Sequence, residues 1–274
     1  MKKKTIALIM AILAVVLCFT LAACGDKPDT NEPASDFEYI KEKGEMIIGY
    51  TEFAPMNYID AEGNFVGFET EFAKAVCEEL GVEAKFQKID WKAKETELAS
   101  KNIDCIWNGM TITPERQEAM SISTPYMANK QVLIVKAENA DKYLTAEDVK
   151  GANIVAEIES AGAGVAAEDP FFAEANYTDV DTQAKALFEV KSGVADACVV
   201  DYVLSIGMIG EGTDYEDLVV VDGVAFADEE YGIAFRKDSD TTAAVNEAIT
   251  NLVESGKLAE IAANYKLQEQ IIAE

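Results

Sequence analysis

The chain has 274 residues and a formal net charge of −27, with 50 acidic residues against 23 basic ones and no histidine. A surface this acidic repels nucleic acid and anionic lipid headgroups, which excludes partners held by negative charge. Lacking histidine, the chain has no imidazole to activate a nucleophile and lacks the commonest zinc ligand, so no metal or other cofactor is expected.

In chain order, Lys2, Lys3 and Lys4 precede an uncharged apolar run over residues 5–23, the order of a secretory signal. The run is also long enough to span a bilayer, so its exit decides between a cleaved leader and a retained anchor. There Leu21-Ala22-Ala23-Cys24-Gly25 places small residues before a cysteine and resembles the bacterial lipobox. That resemblance implies a signal peptide at 1–23, cleavage after Ala23 and acylation (palmitate among the acyl chains) of Cys24. The competing reading is an ordinary signal followed by a chance cysteine. Residues 24–36, polar and interrupted by Pro28 and Pro33, read as a lipidated, flexible tether. No second apolar span follows in 37–274, so a soluble body is expected, held to the membrane only through the anchor at Cys24.

Met46-Ile47-Ile48-Gly49 is strand-like. Over 68–80, Phe68, Phe72, Val76 and Leu80 form one helical stripe that stops at Gly81. Strands are expected over 83–87 and 103–107, with a helix over 91–100 between them. Val132-Leu133-Ile134-Val135 opens a second series: a strand at 153–156, a helix start at 162–167 and a helix at 182–191 capped by Thr182. Residues 197–200 form a strand, a helix follows from Tyr202, and Val219-Val220-Val221 is a further strand. Residues 231–235 return as a strand before two closing helices, the first capped by Asp240 and ended by Gly256. Strands alternating with helices argue for an α/β architecture with mostly parallel sheets. Cys77 falls on a helix and Cys105 and Cys198 in apolar strands, so all three read as small buried hydrophobes.

One segment stands out, Asn108-Gly109-Met110-Thr111-Ile112-Thr113-Pro114-Glu115-Arg116. Thr113 suits an N-cap and Pro114 the first helical position. Arg116 then sits in the first turn, where the helix dipole disfavours a cation and an anion to be met explains one. A guanidinium grips a carboxylate through two parallel hydrogen bonds. The plainer reading is a surface arginine beside Glu115 and Glu118, and spacing alone leaves both open.

Over residues 37–270 the chain resembles the type-II solute-binding proteins (family 3) of polar amino acid ABC importers. The motifs are Phe53-Ala54-Pro55-Met56, the stretch GNFVGFE from Gly63 to Glu69, Asp90-Trp91, KNID from Lys101 to Asp104, Thr111-Ile112-Thr113-Pro114-Glu115-Arg116, Thr124-Pro125-Tyr126 and YGIAF from Tyr231 to Phe235. The resemblance implies two α/β lobes, each a mostly parallel sheet flanked by helices, with lobe one at 37–126 plus 231–274 and lobe two at 131–226. Hinge crossovers fall at 127–130 and 227–230. It further implies a monomer that closes on an amino acid and delivers it to the membrane permease subunits, with no covalent chemistry.

Carried over by position, Arg116 resembles the clamp on the ligand carboxylate, with Asn108, Gly109, Met110 and Thr111 beside it. Ser160 and Ala161 match a helix N-terminus that receives the carboxylate from the other lobe. Asp201 matches the acceptor of the ligand ammonium, and its alternative role is to cap the helix from Tyr202. Phe53 and Trp91 match the aromatic walls. Departures bear on the side chain bound. Tyr50 stands where an aspartate is common, with Glu52 two residues on; Glu157 replaces glutamine or lysine, and Glu159 replaces glycine. These carboxylates either favour a cationic side chain or belong to an acidic surface. Two other classes share the scaffold: a cyclohexadienyl or arogenate-type dehydratase using Glu52 or Glu157 as acid–base group, and the ligand-sensing domain of a receptor.

Overall fold

This computed structural model describes residues 35–274; the leader, Cys24 and the tether up to residue 34 lie outside them. In chain order, α1 (Asp36–Lys43), β1 (Glu45–Tyr50), the hairpin β2 (Tyr58–Ile59) and β3 (Phe65–Val66), and α2 (Phe68–Leu80) lead into β4 (Glu83–Lys88). They are followed by α3 (Lys94–Ala99), β5 (Cys105–Ile106), α4 (Pro114–Ala119) and β6 (Ser121–Ile122). The chain continues through β7 (Met127–Lys136), β8 (Asn153–Glu157), α5 (Ala161–Glu168), β9 (Asn176–Val180) and α6 (Gln183–Ser192). It then passes β10 (Ala197–Asp201), α7 (Tyr202–Met208) and β11 (Leu218–Tyr231), and closes with β12 (Ala234–Phe235), α8 (Thr241–Glu254) and α9 (Lys257–Asn264).

The first sheet has the order β4-β1-β5-β12-β6, with β1 parallel to β4 and β5 and β12 antiparallel to both its neighbours. Helix α2 buries Phe68, Phe72, Ala73 and Val76 in its core. It begins at Gly67 because no other residue fits: φ is 134° and an added Cβ would meet the Met56 carbonyl oxygen at 2.1 Å. Its end is a glycine in the left-handed region, Gly81, where the next amide (Val82) bonds back to Cys77 at 3.0 Å. Asp104, fully buried, ties the sheet to the chain ends: it meets Lys43 at 2.5 Å, Arg236 at 3.4 Å and the Ile47 amide at 2.7 Å. Arg236 in turn holds Asp36 of α1 at 2.8 Å. Asp36, assigned to the tether from sequence, is therefore already helical.

The second sheet has the order β11-β7-β10-β8-β9, parallel along β10-β8-β9 and antiparallel where β7 lies between β10 and β11. The chain leaves the first sheet through β7 and returns through β11, and these strands pair with each other from Met127↔Tyr231 to Lys136↔Leu218, with register shifts near Ala225. The three cysteines 77, 105 and 198 are buried and free, and burial pushes the Cys77 thiol up to about 12.

Several sequence expectations change. The helix expected over 91–100 is a 3-10 turn at Trp91–Ala93 followed by α3. The strand expected over 231–235 divides, Tyr231 ending β11 and only Ala234–Phe235 joining the first sheet. Asp240 does not cap α8; its carboxylate accepts from the Phe37 amide at 2.9 Å and so closes the first turn of α1 instead. Strand β9 was not expected at all. Asn-Tyr-Thr-Asp-Val is a polar edge strand with no fully buried residue, so it lacks the alternation that marks a strand in sequence.

Candidate functional site

Loops beyond the carboxyl ends of strands in both sheets converge on one cleft, the usual ligand crevice of open α/β sheets. From the first sheet come Thr51, Glu52 and Phe53 after β1, Trp91 after β4, and Asn108, Gly109, Thr111 and Arg116 after β5. Glu157 at the end of β8, Ser160 and Ala161 at the start of α5, and Gln183 and Asp201 face them from the second. The space left between these groups is about 10 Å3, room for about one water.

Arg116 is set by the local sequence. Thr113 Oγ1 accepts from the Arg116 amide at 3.2 Å, the N-cap expected from Thr113-Pro114. Arg116 Nη1 donates to the Thr111 carbonyl at 2.8 Å and Nη2 to the Glu159 carbonyl across the cleft at 3.4 Å. Among the described residues the guanidinium is hydrogen-bonded to carbonyl oxygens and to no carboxylate. Gly109 has φ 58°, and a Cβ there would strike the Phe53 ring at 2.5 Å, so glycine is what lets the aromatic wall close on this turn. Its amide donates to Glu69 at 2.9 Å, and Glu69 also accepts from Asn57 and Tyr126. Burial pushes the Glu69 carboxyl up to about 7 against these three bonds.

The second-sheet wall is anionic. The Asp201 carboxylate does not cap α7; that amide, Val203 N, is served by Asn129 Oδ1 at 3.3 Å. Asp201 instead accepts from Asn129 Nδ2 at 2.6 Å, from Gln131 Nε2 at 2.8 Å and from Gln183 Nε2. Burial raises its pKa in spite of these donors. Glu157 is buried with Oε1 lacking any hydrogen-bond partner. Burial, with the Asp201 charge adding and Lys94 opposing, pushes it up to about 8. Ser160 caps α5 by accepting from the Ala163 amide at 3.0 Å, leaving the first-turn N–H groups, which have no intrahelical acceptor, at the cleft. Glu159 has φ 58° where glycine was expected, and its carboxylate lies 3.7 Å from the buried Lys94 ammonium, which stands 5.0 Å over the Trp91 ring.

Not every residue singled out in the sequence reaches the cleft. Tyr50 packs against Phe65 and Phe86, with ring centroids 4.6 and 6.3 Å away, and is not among the residues that line the cleft. Met110 is fully buried among Ile89, Leu98, Ile106 and Met120. Glu52 lies at the rim, half exposed and paired with Lys88 at 2.8 Å. The Asn108 amide is spent on both backbone groups of Thr51, at 3.0 and 2.9 Å. Sequence reasoning missed Thr51, Gln183, Asn129 and Gln131, none of which stands in a motif.

Residues 46–268 match the family model of the bacterial extracellular solute-binding proteins, family 3, and the chain belongs to that family. It is 29% identical over 257 residues to the arginine-binding extracellular protein ArtP of Bacillus subtilis, covering 91% of this chain and 94% of that protein. With the L-cystine-binding protein TcyJ of Escherichia coli it shares 31% identity over 224 residues, 80% of this chain and 81% of TcyJ. Among solved structures, a mutant form of ArgBP from T. maritima superposes with TM-score 0.76 at 31% identity, covering 84% of this chain and 98% of that one. The architecture is accordingly the type-II, two-lobed periplasmic-binding fold.

Proposed function

We propose that the chain is the extracytoplasmic binding component of an amino acid ABC importer, and that it captures a free L-amino acid with a cationic side chain. One observation carries this: Arg116 and Asp201 enter the same cleft from opposite sheets, a cation for the carboxylate and an anion for the ammonium of one zwitterion. Ser160 and Ala161 add helix N–H groups to the carboxylate end, and Phe53 and Trp91 flank the ligand stem. The buried, unpartnered Oε1 of Glu157 asks for a donor, and a guanidinium or ammonium side chain supplies it together with the missing positive charge.

A cleft of about 10 Å3 admits no amino acid as it stands, so binding requires the lobes to part and reclose. Residues 127–130 and 227–230, paired in the β7–β11 ladder, are the hinge in this reading; lobe one spans 37–126 plus 231–274 and lobe two 131–226. The ligand carboxylate replaces the Glu159 carbonyl on Arg116 as the lobes reclose. Cleavage before Cys24 and its acylation hold the protein at the membrane beside the permease, and it works as a monomer without covalent chemistry. Calorimetric titration of the purified chain with the twenty amino acids, ornithine and cystine tests the reading. L-Arginine, L-lysine or ornithine should bind best; no binding at millimolar concentrations, or a preference for acidic side chains, would overturn it.

A further inference from the structure

The amides of Asn129 and Gln131 do more than fix Asp201. Each has two N–H groups, and each divides them between two carboxylates. Asn129 Nδ2 lies 2.6 Å from Asp201 Oδ1 and 3.0 Å from Glu229 Oε2. Gln131 Nε2 lies 2.8 Å from the same Asp201 oxygen and 3.0 Å from the same Glu229 oxygen. Glu229 stands opposite Asn129 in the β7–β11 ladder, and it also accepts from Thr111 Oγ1 in the opposite wall of the cleft at 3.3 Å. Glu229 therefore touches, directly or through one amide, both the carboxylate wall and the wall that carries Arg116.

All four bridging donors are neutral. Two carboxylates held by shared neutral amides repel each other with no cation between them, so ionising the second one is costly. The charged and titratable groups around Glu229 do not remove that cost. Arg116 of α4 is the cation nearest in effect, but its Nη groups are bonded to carbonyls. Lys130 on β7 stands opposite Asp228, and Asp228, Glu230 and Tyr231 flank Glu229 on its own strand. Glu157 of β8 and Glu69 of α2 add negative charge through Asp201. Burial, then Asp201, pushes Glu229 up to about 7. Glu229 also lines a second groove with Asn129 and Asp228 and is only partly buried, which gives its proton a path to solvent.

We propose that Glu229 is a positioning residue for Asp201: through the shared Asn129 and Gln131 amides it holds a proton while the cleft is free of ligand and surrenders it when a ligand ammonium reaches Asp201. This rests on Asp201 as the ammonium acceptor. The ammonium is the cation that the pair lacks; once it arrives, both carboxylates ionise and the proton leaves through Glu229. Capture is then proton-linked, and affinity rises with pH through neutrality, by at most about tenfold per pH unit for one proton released. A purely structural Glu229 contributes nothing to this slope, so Glu229→Gln would leave it unchanged.

Carbon-13 NMR titration of Asp and Glu carboxyls in the ligand-free chain tests this without any ligand. Glu229 should titrate near neutrality, and in Asp201→Asn the Glu229 carboxyl should titrate lower than in the native protein. An ordinary carboxylate titration for Glu229 in the native chain, which needs no variant, would overturn the proposal, as would a Glu229 titration unmoved by Asp201→Asn. Calorimetry with L-arginine at pH 7 in two buffers of different ionisation enthalpy then counts the protons. Release that falls in Glu229→Gln supports the proposal, and release unchanged by that substitution refutes it. If L-arginine and the other amino acids fail to bind at all, the proposed function falls, while the ligand-free titration still decides the role of Glu229.

Discussion

Asp104 and Asp201 are both buried aspartates at the ends of loops or strands, and the chain treats them in opposite ways. Asp104 is met by two cations, Lys43 and Arg236, and a backbone amide. Asp201 is met by three neutral side-chain amides and, among the described residues, by no cation. The first charge is neutralised within the fold, so its work is to hold α1 and β12 onto the first sheet. The second is oriented but not neutralised by a cation, and Glu157 beside it has an Oε1 with no hydrogen-bond donor among the described residues. Arg116 shows the complementary pattern, a guanidinium bonded only to carbonyls. Charges left without counter-charges inside one cleft mark a place prepared for an ion from outside.

Substitutions sharpen this contrast. Arg116→Ala should cost the largest effect, a loss of amino acid affinity of about a hundredfold or more, because the ligand carboxylate is desolvated with no partner; titration calorimetry measures it, and unchanged affinity would break the comparison. Asp104→Asn should leave affinity alone and lower stability by about 3 kcal/mol, since it strands the partly buried Lys43 ammonium and takes one of its two carboxylates from Arg236; denaturant unfolding with binding measured in parallel separates the two. Glu157→Gln should weaken L-arginine roughly tenfold while raising the unfolding temperature of the ligand-free protein at pH 8. The sign follows from the raised pKa of about 8: the folded state binds the proton more tightly than the unfolded chain. That stabilisation is complete below the ordinary glutamate range and is lost as pH rises towards 8. Native protein should therefore lose stability between pH 5 and pH 8, with Glu69 acting in the same direction through its pKa of about 7, and Glu157→Gln should flatten the slope. Tyr50→Phe, outside the cleft, should change affinity by less than about twofold.

The parts of this arrangement that the sequence announces are those with local causes. Helix α2 ends where Gly81 adopts a left-handed conformation, α6 begins where Thr182 caps it, and α4 begins where Thr113 does. Arg116 and Asp201 were marked by motif rather than by spacing. Asn129, Gln131 and Glu229 carry no local signal, because they meet only when β7 pairs with β10 and β11 in one register, and Gln183 reaches Asp201 from the start of α6. Tyr50 lies outside the cleft because its ring packs on Phe65 of β3 and Phe86 of β4, contacts between strands that no local pattern encodes. Asp240 sits at the N-cap position of α8 but its carboxylate serves α1, a contact 203 residues away in sequence that no local pattern encodes.

The most direct test of the cleft is a crystal structure of the chain grown with L-arginine. The ligand carboxylate should lie on Arg116 and the α5 N-terminus, its ammonium on Asp201, and its guanidinium on Glu157. Density with the amino acid reversed, or a cleft that stays empty while the protein is saturated with ligand elsewhere, would contradict this arrangement.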